Sequence, residues 1–291
     1  MRARFVPRLQ LVQAAHSEKS AASDGEIIQL GFEFPGQLRN LRWAATTPAP
    51  LAADQIDIDV VATGLNFRDV MYALGLLSDE AVENGFAGPT LGLEFAGVVR
   101  QVGADVVGYQ VGDEVVGFGP SSFANRVRTQ SSAIAKIPAG ISFAAAATIP
   151  SVFFTVYYAL QHLARLEPGE KILIHGAAGG VGIAAIQLAK HLGAEIYATA
   201  GSDEKRAFLQ QMGVQHIYDS RSLSYADEIL RDTADLGVDV VLNSLAGEAI
   251  NRNFSVLKPF GRFLELGKRD FYENSKIGLR PFRNNISLFR H

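Results

Sequence analysis

Residues 171–182 read KILIHGAAGGVG, a short apolar run followed by a glycine-dense turn that opens an amphipathic segment. Glycines let backbone approach a pyrophosphate closely, and the free N–H groups at a helix start attract its anionic oxygens. Such a turn needs a strand before it and a helix after it. Here 171–175 reads as strand, 181–192 as helix and 194–200 as the next strand. A bound dinucleotide is therefore expected, with Gly179, Gly180, Val181 and Gly182 at its phosphates. At the end of the second strand, an acidic residue would accept the ribose hydroxyls of the non-phosphorylated cofactor. Ala200, Gly201 and Ser202 occupy that end, and Lys205 and Arg206 follow on the next helix. A serine hydroxyl with a cation suits a 2′-phosphate, so NADPH is the expected cofactor, although Asp203 and Glu204 stand close by. The alternative is that Lys205 and Arg206 form a solvated helix face.

Other chemistries are restricted by composition. The chain has no cysteine, and its six histidines, at 16, 162, 175, 191, 216 and 291, show no paired metal-ligand spacing. No serine sits in a nucleophile-elbow motif. His175, at a strand end beside the glycine turn, is read as a structural residue needing one satisfied hydrogen bond. A net charge of −3 gives no excess for binding nucleic acid. The basic segment 1–13 is broken by Pro7 and lacks the apolar core of a signal peptide, and no stretch reaches membrane-spanning length. The expected location is the cytoplasm.

These residues must be held by two kinds of element. Across 172–266, short apolar runs at 172–175, 195–199, 216–218, 238–242 and 262–266 alternate with helical stretches at 181–192, 203–212, 225–233 and 248–257. Strands separated by such helices require a parallel sheet with right-handed crossovers, hence a doubly wound nucleotide-binding domain. From 26 to 138 the pattern is instead short β segments punctuated by glycine and proline, at 56–62, 95–99, 114–118, 124–127 and 133–137. The run 142–166 reads as helix interrupted near Pro150, and 17–24 as a small polar surface loop. With 291 residues and 48% hydrophobic content, two domains are expected.

Four segments together carry a resemblance: LNFRDVMYALG at 65–75, GLEFAG at 92–97, AAGGVG at 177–182 and LGKRD at 266–270. The chain resembles, over about 4–290, the enoyl reductase domain of modular polyketide synthases. That domain belongs to the zinc-independent branch of the medium-chain dehydrogenase/reductase superfamily. The resemblance implies an α/β fold, with a twisted β-barrel-like (GroES-like) substrate domain over 1–138 and a doubly wound parallel-sheet Rossmann domain over 139–291. It also implies that the chain stops before a return to the first domain, with 284–289 as a last strand open to pairing in a homodimer. Leu93 stands where zinc-dependent relatives carry a histidine, so Glu94 is left as a structural residue.

The activity implied is NADPH-dependent reduction of a trans-2-enoyl thioester, by hydride transfer to Cβ and protonation at Cα. The substrate would hang on the phosphopantetheine arm of an acyl carrier protein, among neighbouring synthase domains. By the same resemblance the catalytic set is Lys268 as proton source, Asn66 and Arg68 near the nicotinamide and thioester, and Tyr72 in the same segment. Asp69 would fix Arg68. The family's usual tyrosine position holds Leu77, and 281–285 (PFRNN) lacks the aspartate expected to assist the lysine. Thr155 would bond the nicotinamide carboxamide, and Arg221 would approach the adenosine ribose phosphate. Asn243, Ser244 and Leu245 would line the nicotinamide ribose, and Gly267 completes the cofactor set. A quinone or enone reductase, a homologous reductase that closes a cyclopropane with loss of halide, and an inactive scaffold remain as alternatives.

Overall fold

The computed structural model describes residues 25–77, 82 and 88–290, so the reading of 17–24 as a loop lies outside the described residues. The chain divides into two units, one built from residues up to Leu93 with Gly97–Val115 and Gly119–Lys136, the other from Glu94–Ala96, Val116–Phe118 and Ile137–His291.

The first unit carries β1 (Ile27–Gly31), β2 (Arg42–Thr46), β3 (Gln55–Thr63) and α1 (Phe67–Ala73). The chain continues through β4 (Glu94–Val102), β5 (Glu114–Phe118), β6 (Arg126–Gln130) and β7 (Ile134–Lys136). β1 and β2 form an antiparallel pair in the register Ile27↔Thr46, and the other five strands form a sheet in the order β6-β3-β4-β5-β7. The β1/β2 pair was not legible as strands, because each is short and 10 residues of turn-rich chain separate them. The strand expected at 124–127 begins instead at Arg126. The reason is long-range: Asn125 N donates to Ile28 O, Ile28 N donates to Asn125 Oδ1 at 2.8 Å, and Ala124 bridges Gln29. Gly97 passes so close to β3 that a methyl there would sit 2.2 Å from Asp59 O.

The second unit follows with α2 (Phe143–Ala146), α3 (Pro150–Tyr157) and a π-helical turn at Tyr158–Leu163. Pro150 interrupts the helix by starting α3, where its missing N–H costs nothing. Strand and helix then alternate: β8 (Lys171–Ile174), α4 (Gly180–His191), β9 (Glu195–Ala200), α5 (Asp203–Gln211), β10 (His216–Asp219), α6 (Tyr225–Asp232), β11 (Val238–Asn243), α7 (Glu248–Ser255), β12 (Leu257–Glu265), α8 (Arg269–Tyr272) and β13 (Ser287–Arg290). The six strands form one parallel sheet in the order β10-β9-β8-β11-β12-β13. Ile172, Leu173 and Ile174 are fully buried, as a central strand with both faces covered requires. The order reverses at β8, which is where ligands bind to such sheets.

β12 starts five residues earlier than the expected 262, and its extra length includes Phe260 in the left-handed region (φ 63°) and a register shift against β11. The last strand begins at Ser287 rather than 284, since 280–284 forms a 3-10 turn and Asn285 is left-handed (φ 56°).

Candidate functional site

At the end of β8 the chain turns through Gly176 (φ 59°) and closes on itself by a 2.9 Å bond from Gly179 N to Gly176 O, before α4 starts at Gly180. The glycines here serve different purposes. A Cβ on Gly182 would lie 2.5 Å from both Cα and O of Ala177, so helix and turn approach too closely for any side chain. A Cβ on Gly180 would meet only Val152 Cγ1, at 3.4 Å, an ordinary contact. Ala177 N is tied to Thr199 O at 3.0 Å. The result is a rigid turn with open backbone at the N-terminus of a 12-residue helix that carries no acid in its first turn. These residues fit a pyrophosphate, by partial charge and by space.

At the end of β9, Ser202 caps α5 by accepting from Lys205 N at 3.4 Å. Arg206 is engaged within the protein, donating to Ala200 O at 2.9 Å and pairing with Asp203 and Asp219. Lys205 is exposed. A methyl on Gly201 would lie 3.3 Å from Ser220 Oγ and 3.4 Å from Arg221 Nε, so Arg221 stands beside this strand end. Asp219 Oδ1 accepts from Arg221 N at 2.9 Å and shapes that turn.

Past β11, Ser244 is exposed, and its Oγ lies 3.2 Å from where a Cβ on Gly176 would be. The Asn243 amide is engaged within the protein. Its Nδ2 donates to Leu245 O at 2.7 Å and to Glu265 Oε2 at 2.5 Å, while its Oδ1 accepts from Leu245 N and Asn253 Nδ2. It shapes the 243–245 loop. Thr155 is half-buried on α3, whose start is capped by Glu94. Glu94 is 3% exposed, and its Oε2 accepts from Ser151 N at 2.7 Å.

His175 has two partners rather than the single one expected: Nδ1 meets Thr199 Oγ1 at 2.8 Å and Nε2 meets Asn253 Oδ1 at 2.7 Å. Asn253 Nδ2 donates to Asn243, which leaves its Oδ1 as acceptor, so Nε2 of the neutral imidazole donates. Burial lowers the pKa of His175 to about 4, with the Asn253 bond opposing. The residue that sequence reasoning missed is Glu265, 3% exposed. Burial pushes its pKa up to about 7, against the Asn243 amide and the Gly267 N–H that hold it down. A lone carboxylate closing the apolar run RFLELG was the signal for it.

Lys268, directly after Gly267, is exposed at the start of α8, and the Asp270 carboxylate beyond it accepts from Gly247 N. The other three catalytic candidates lie in the first unit. Asp69 is buried and ties two backbones, accepting from Asn66 N at 3.1 Å and Gly92 N at 2.9 Å, so Asn66 becomes the cap of α1. Arg68 lies 3.6 Å from Asp69, as expected, and its guanidinium donates to the carbonyls of Gly88 and Thr90. It also covers the ring of Tyr72 at 4.8 Å, and that ring packs on Phe32. Arg68 and Tyr72 thus brace this segment.

Family models match both halves of the chain: the alcohol dehydrogenase GroES-like domain at 52–156 and the zinc-binding dehydrogenase at 180–290. Among the described residues, no three of His, Cys, Asp and Glu come together as metal ligands. The reducing polyketide synthase FUB1 of Gibberella moniliformis is 47% identical over 266 residues, which is 90% of this chain and 11% of that protein. This chain therefore spans about a ninth of the length of that relative. Among solved structures, the CurK enoyl reductase superposes with a TM-score of 0.82 at 43% identity, covering 91% of this chain and 80% of that one. The CurF ER cyclopropanase from the curacin A biosynthetic pathway gives a TM-score of 0.80 at 33% identity, covering 91% and 81%.

Proposed function

The chain belongs to the enoyl reductases of polyketide synthases, in the medium-chain dehydrogenase/reductase superfamily, and on that premise we propose that it reduces a carrier-bound trans-2-enoyl thioester with NADPH and without zinc. The observation that carries this reading is the phosphate cradle at 176–182, open at Gly180 and closed to side chains at Gly182, in a chain 43% identical to an enoyl reductase. A bound NADPH supplies the hydride that adds to Cβ of the substrate. The N–H groups at the start of α4 hold the pyrophosphate. Ser202 and Arg221, with Lys205 nearby, receive the 2′-phosphate, where an arginine fork gives charge-assisted bonds. Thr155 orients the nicotinamide carboxamide, and Ser244, Leu245 and Gly267 line the ribose next to it. Lys268 gives a proton to Cα as negative charge is discharged from the thioester oxygen. Asn66 faces the thioester from a segment that Arg68, Asp69 and Tyr72 keep in shape.

The substrate's carrier is an acyl carrier protein, and the remaining length of the relatives corresponds to neighbouring synthase domains. The cytoplasm is the proposed location, and no described helix is long and apolar enough to cross a membrane. The 33% identity to a cyclopropanase supports a second fate for the same hydride delivery, in which a halide leaves and a ring closes. One assay tests these readings: incubation with NADPH and crotonyl pantetheine thioester, followed by nicotinamide absorbance and product mass. Gain of two hydrogens is the expected result. Cofactor binding without NADPH consumption would instead identify an inert scaffold.

A further inference from the structure

Beneath the carboxyl ends of four neighbouring strands runs a buried chain of polar side chains that no step of the proposed reaction uses. Thr199 of β9 meets His175 just past β8, and His175 meets Asn253 of α7. Asn253 donates to Asn243 at the end of β11 at 2.9 Å, and Asn243 donates to Glu265 at the end of β12 at 2.5 Å. Tyr225 of α6 joins at Asn253 Oδ1, at 2.6 Å. Thr199, Asn243 and Asn253 are fully buried, and His175 and Glu265 are 3% exposed. Such a chain is costly unless every member finds a partner, and it confers rigidity when all do. Four of its members also stand at the root of a segment at the carboxyl edge of the sheet. Thr199 precedes the Gly201–Ser202 corner, His175 precedes Gly176, Asn243 precedes Ser244, and Glu265 precedes Gly267 and Lys268.

We propose that Glu265 is a positioning residue: its carboxyl group ties the 243–245 loop to the Gly267–Lys268 turn, and through Asn243, Asn253 and His175 it keeps both in register with the glycine turn. Its Oε2 accepts from Asn243 Nδ2 and its Oε1 from Gly267 N at 2.6 Å. A methyl on Gly267 would lie 2.7 Å from Oε1, so the turn closes directly on the carboxylate. Both oxygens face donors, and protonation leaves acceptor capacity on each. Burial brings that protonation into the neutral range.

The charged surroundings of Glu265 are few. Asp270 on α8 raises its pKa further. Arg290, its register partner on β13, holds its guanidinium over the Phe271 ring at 5.2 Å. Lys268 and Arg269 after β12, and Arg280 and Arg283 on the 3-10 turn against it, are exposed. Arg252 on α7 pairs with Asp227. His175 stays neutral across this range.

The inference rests on the proposed function only for its effect on nucleotide affinity, because the tie itself exists in the free protein. The test is amide hydrogen exchange on the free chain, following 243–247 and 266–270 between about pH 8 and pH 6. The ionised fraction of a group with its pKa near 7 falls about tenfold across that range. An opening that exposes the carboxyl to water returns it to its ordinary acidity, so protection corrected for intrinsic rates should fall about tenfold in both segments together as the pH rises from about 6 to about 8. In Glu265→Gln the pH dependence of exchange should vanish in both segments, and the NADPH dissociation constant should lose its pH dependence. Wild-type protection that is flat with pH overturns the proposal, as does a variant that disturbs 266–270 alone. Should the variant fail to fold, the wild-type profile decides by itself. A wild type that never binds NADPH overturns the cofactor reading instead, and the exchange result still stands.

Discussion

Replacing Gly180 by aspartate and Gly182 by alanine should damage the protein in opposite ways. At Gly180 the added Cβ meets only Val152 Cγ1 at 3.4 Å, and an acid in the first turn of α4 favours the helix. Gly180→Asp should therefore fold with wild-type stability. Its carboxylate would stand within about 5 Å of a pyrophosphate charge, and at an effective dielectric of about 20 that repulsion costs about 3 kcal/mol. The loss in NADPH affinity is then roughly two hundredfold. At Gly182 the added Cβ would sit 2.5 Å from Ala177 Cα and O, and Ala177 is fully buried and tied to Thr199. Helix and turn must separate, at about 1–3 kcal/mol or more, so Gly182→Ala should be visibly less stable. Urea unfolding and a fluorescence titration with NADPH on each variant separate the two effects. Wild-type affinity in Gly180→Asp would falsify the assignment of the phosphate site, and wild-type stability in Gly182→Ala would refute the close-approach reasoning.

Three further outcomes are expected. His175 titrates at 6.5 when unfolded and at about 4 when folded, so its contribution is present above pH 6.5 and lost as the pH falls towards 4. Between about pH 7.5 and pH 5 this amounts to about 2 kcal/mol, which His175→Gln should remove from urea-unfolding curves; equal pH slopes in both proteins would contradict it. Glu265 works in the opposite sense, its contribution being lost as the pH rises through about 7, so only the difference between wild type and variant isolates the histidine. Glu94→Ala leaves Ser151 N without its acceptor and should cost about 1–2 kcal/mol in thermal or urea unfolding, whereas an unchanged midpoint would deny Glu94 its capping role. Arg221→Gln should weaken NADPH binding by roughly ten- to a hundredfold and leave NADH binding alone; equal losses for both nucleotides would place the 2′-phosphate elsewhere.

The nucleotide-binding half was legible because its signals are local. The central parallel strands β8 and β11 are short apolar runs, each crossover helix lies between two strands in sequence, and the glycine turn is specified by neighbours such as Ala177 and Gly182. Arg221 was implied by the family resemblance alone, and the engagement of Arg206 with Ala200, Asp203 and Asp219 was not legible, since Lys205 and Arg206 looked alike in sequence.

In the first unit, strand limits depended on partners far along the chain. Asn125 pairs with Ile28 97 residues away, so no window around 124–127 contained the reason that β6 begins at Arg126. The same holds for the buried chain under the sheet. His175 finds Asn253 78 residues on, and Asn243 finds Glu265 22 residues on. Local pattern alone gave the alternation of strands and helices in the second unit and the glycine turn after β8, because backbone geometry and hydrophobic period act over a few residues. Which polar side chains would be buried together, and so satisfied or held near a neutral pKa, was decided only when distant segments packed, since desolvation and hydrogen-bond partners are properties of that packing.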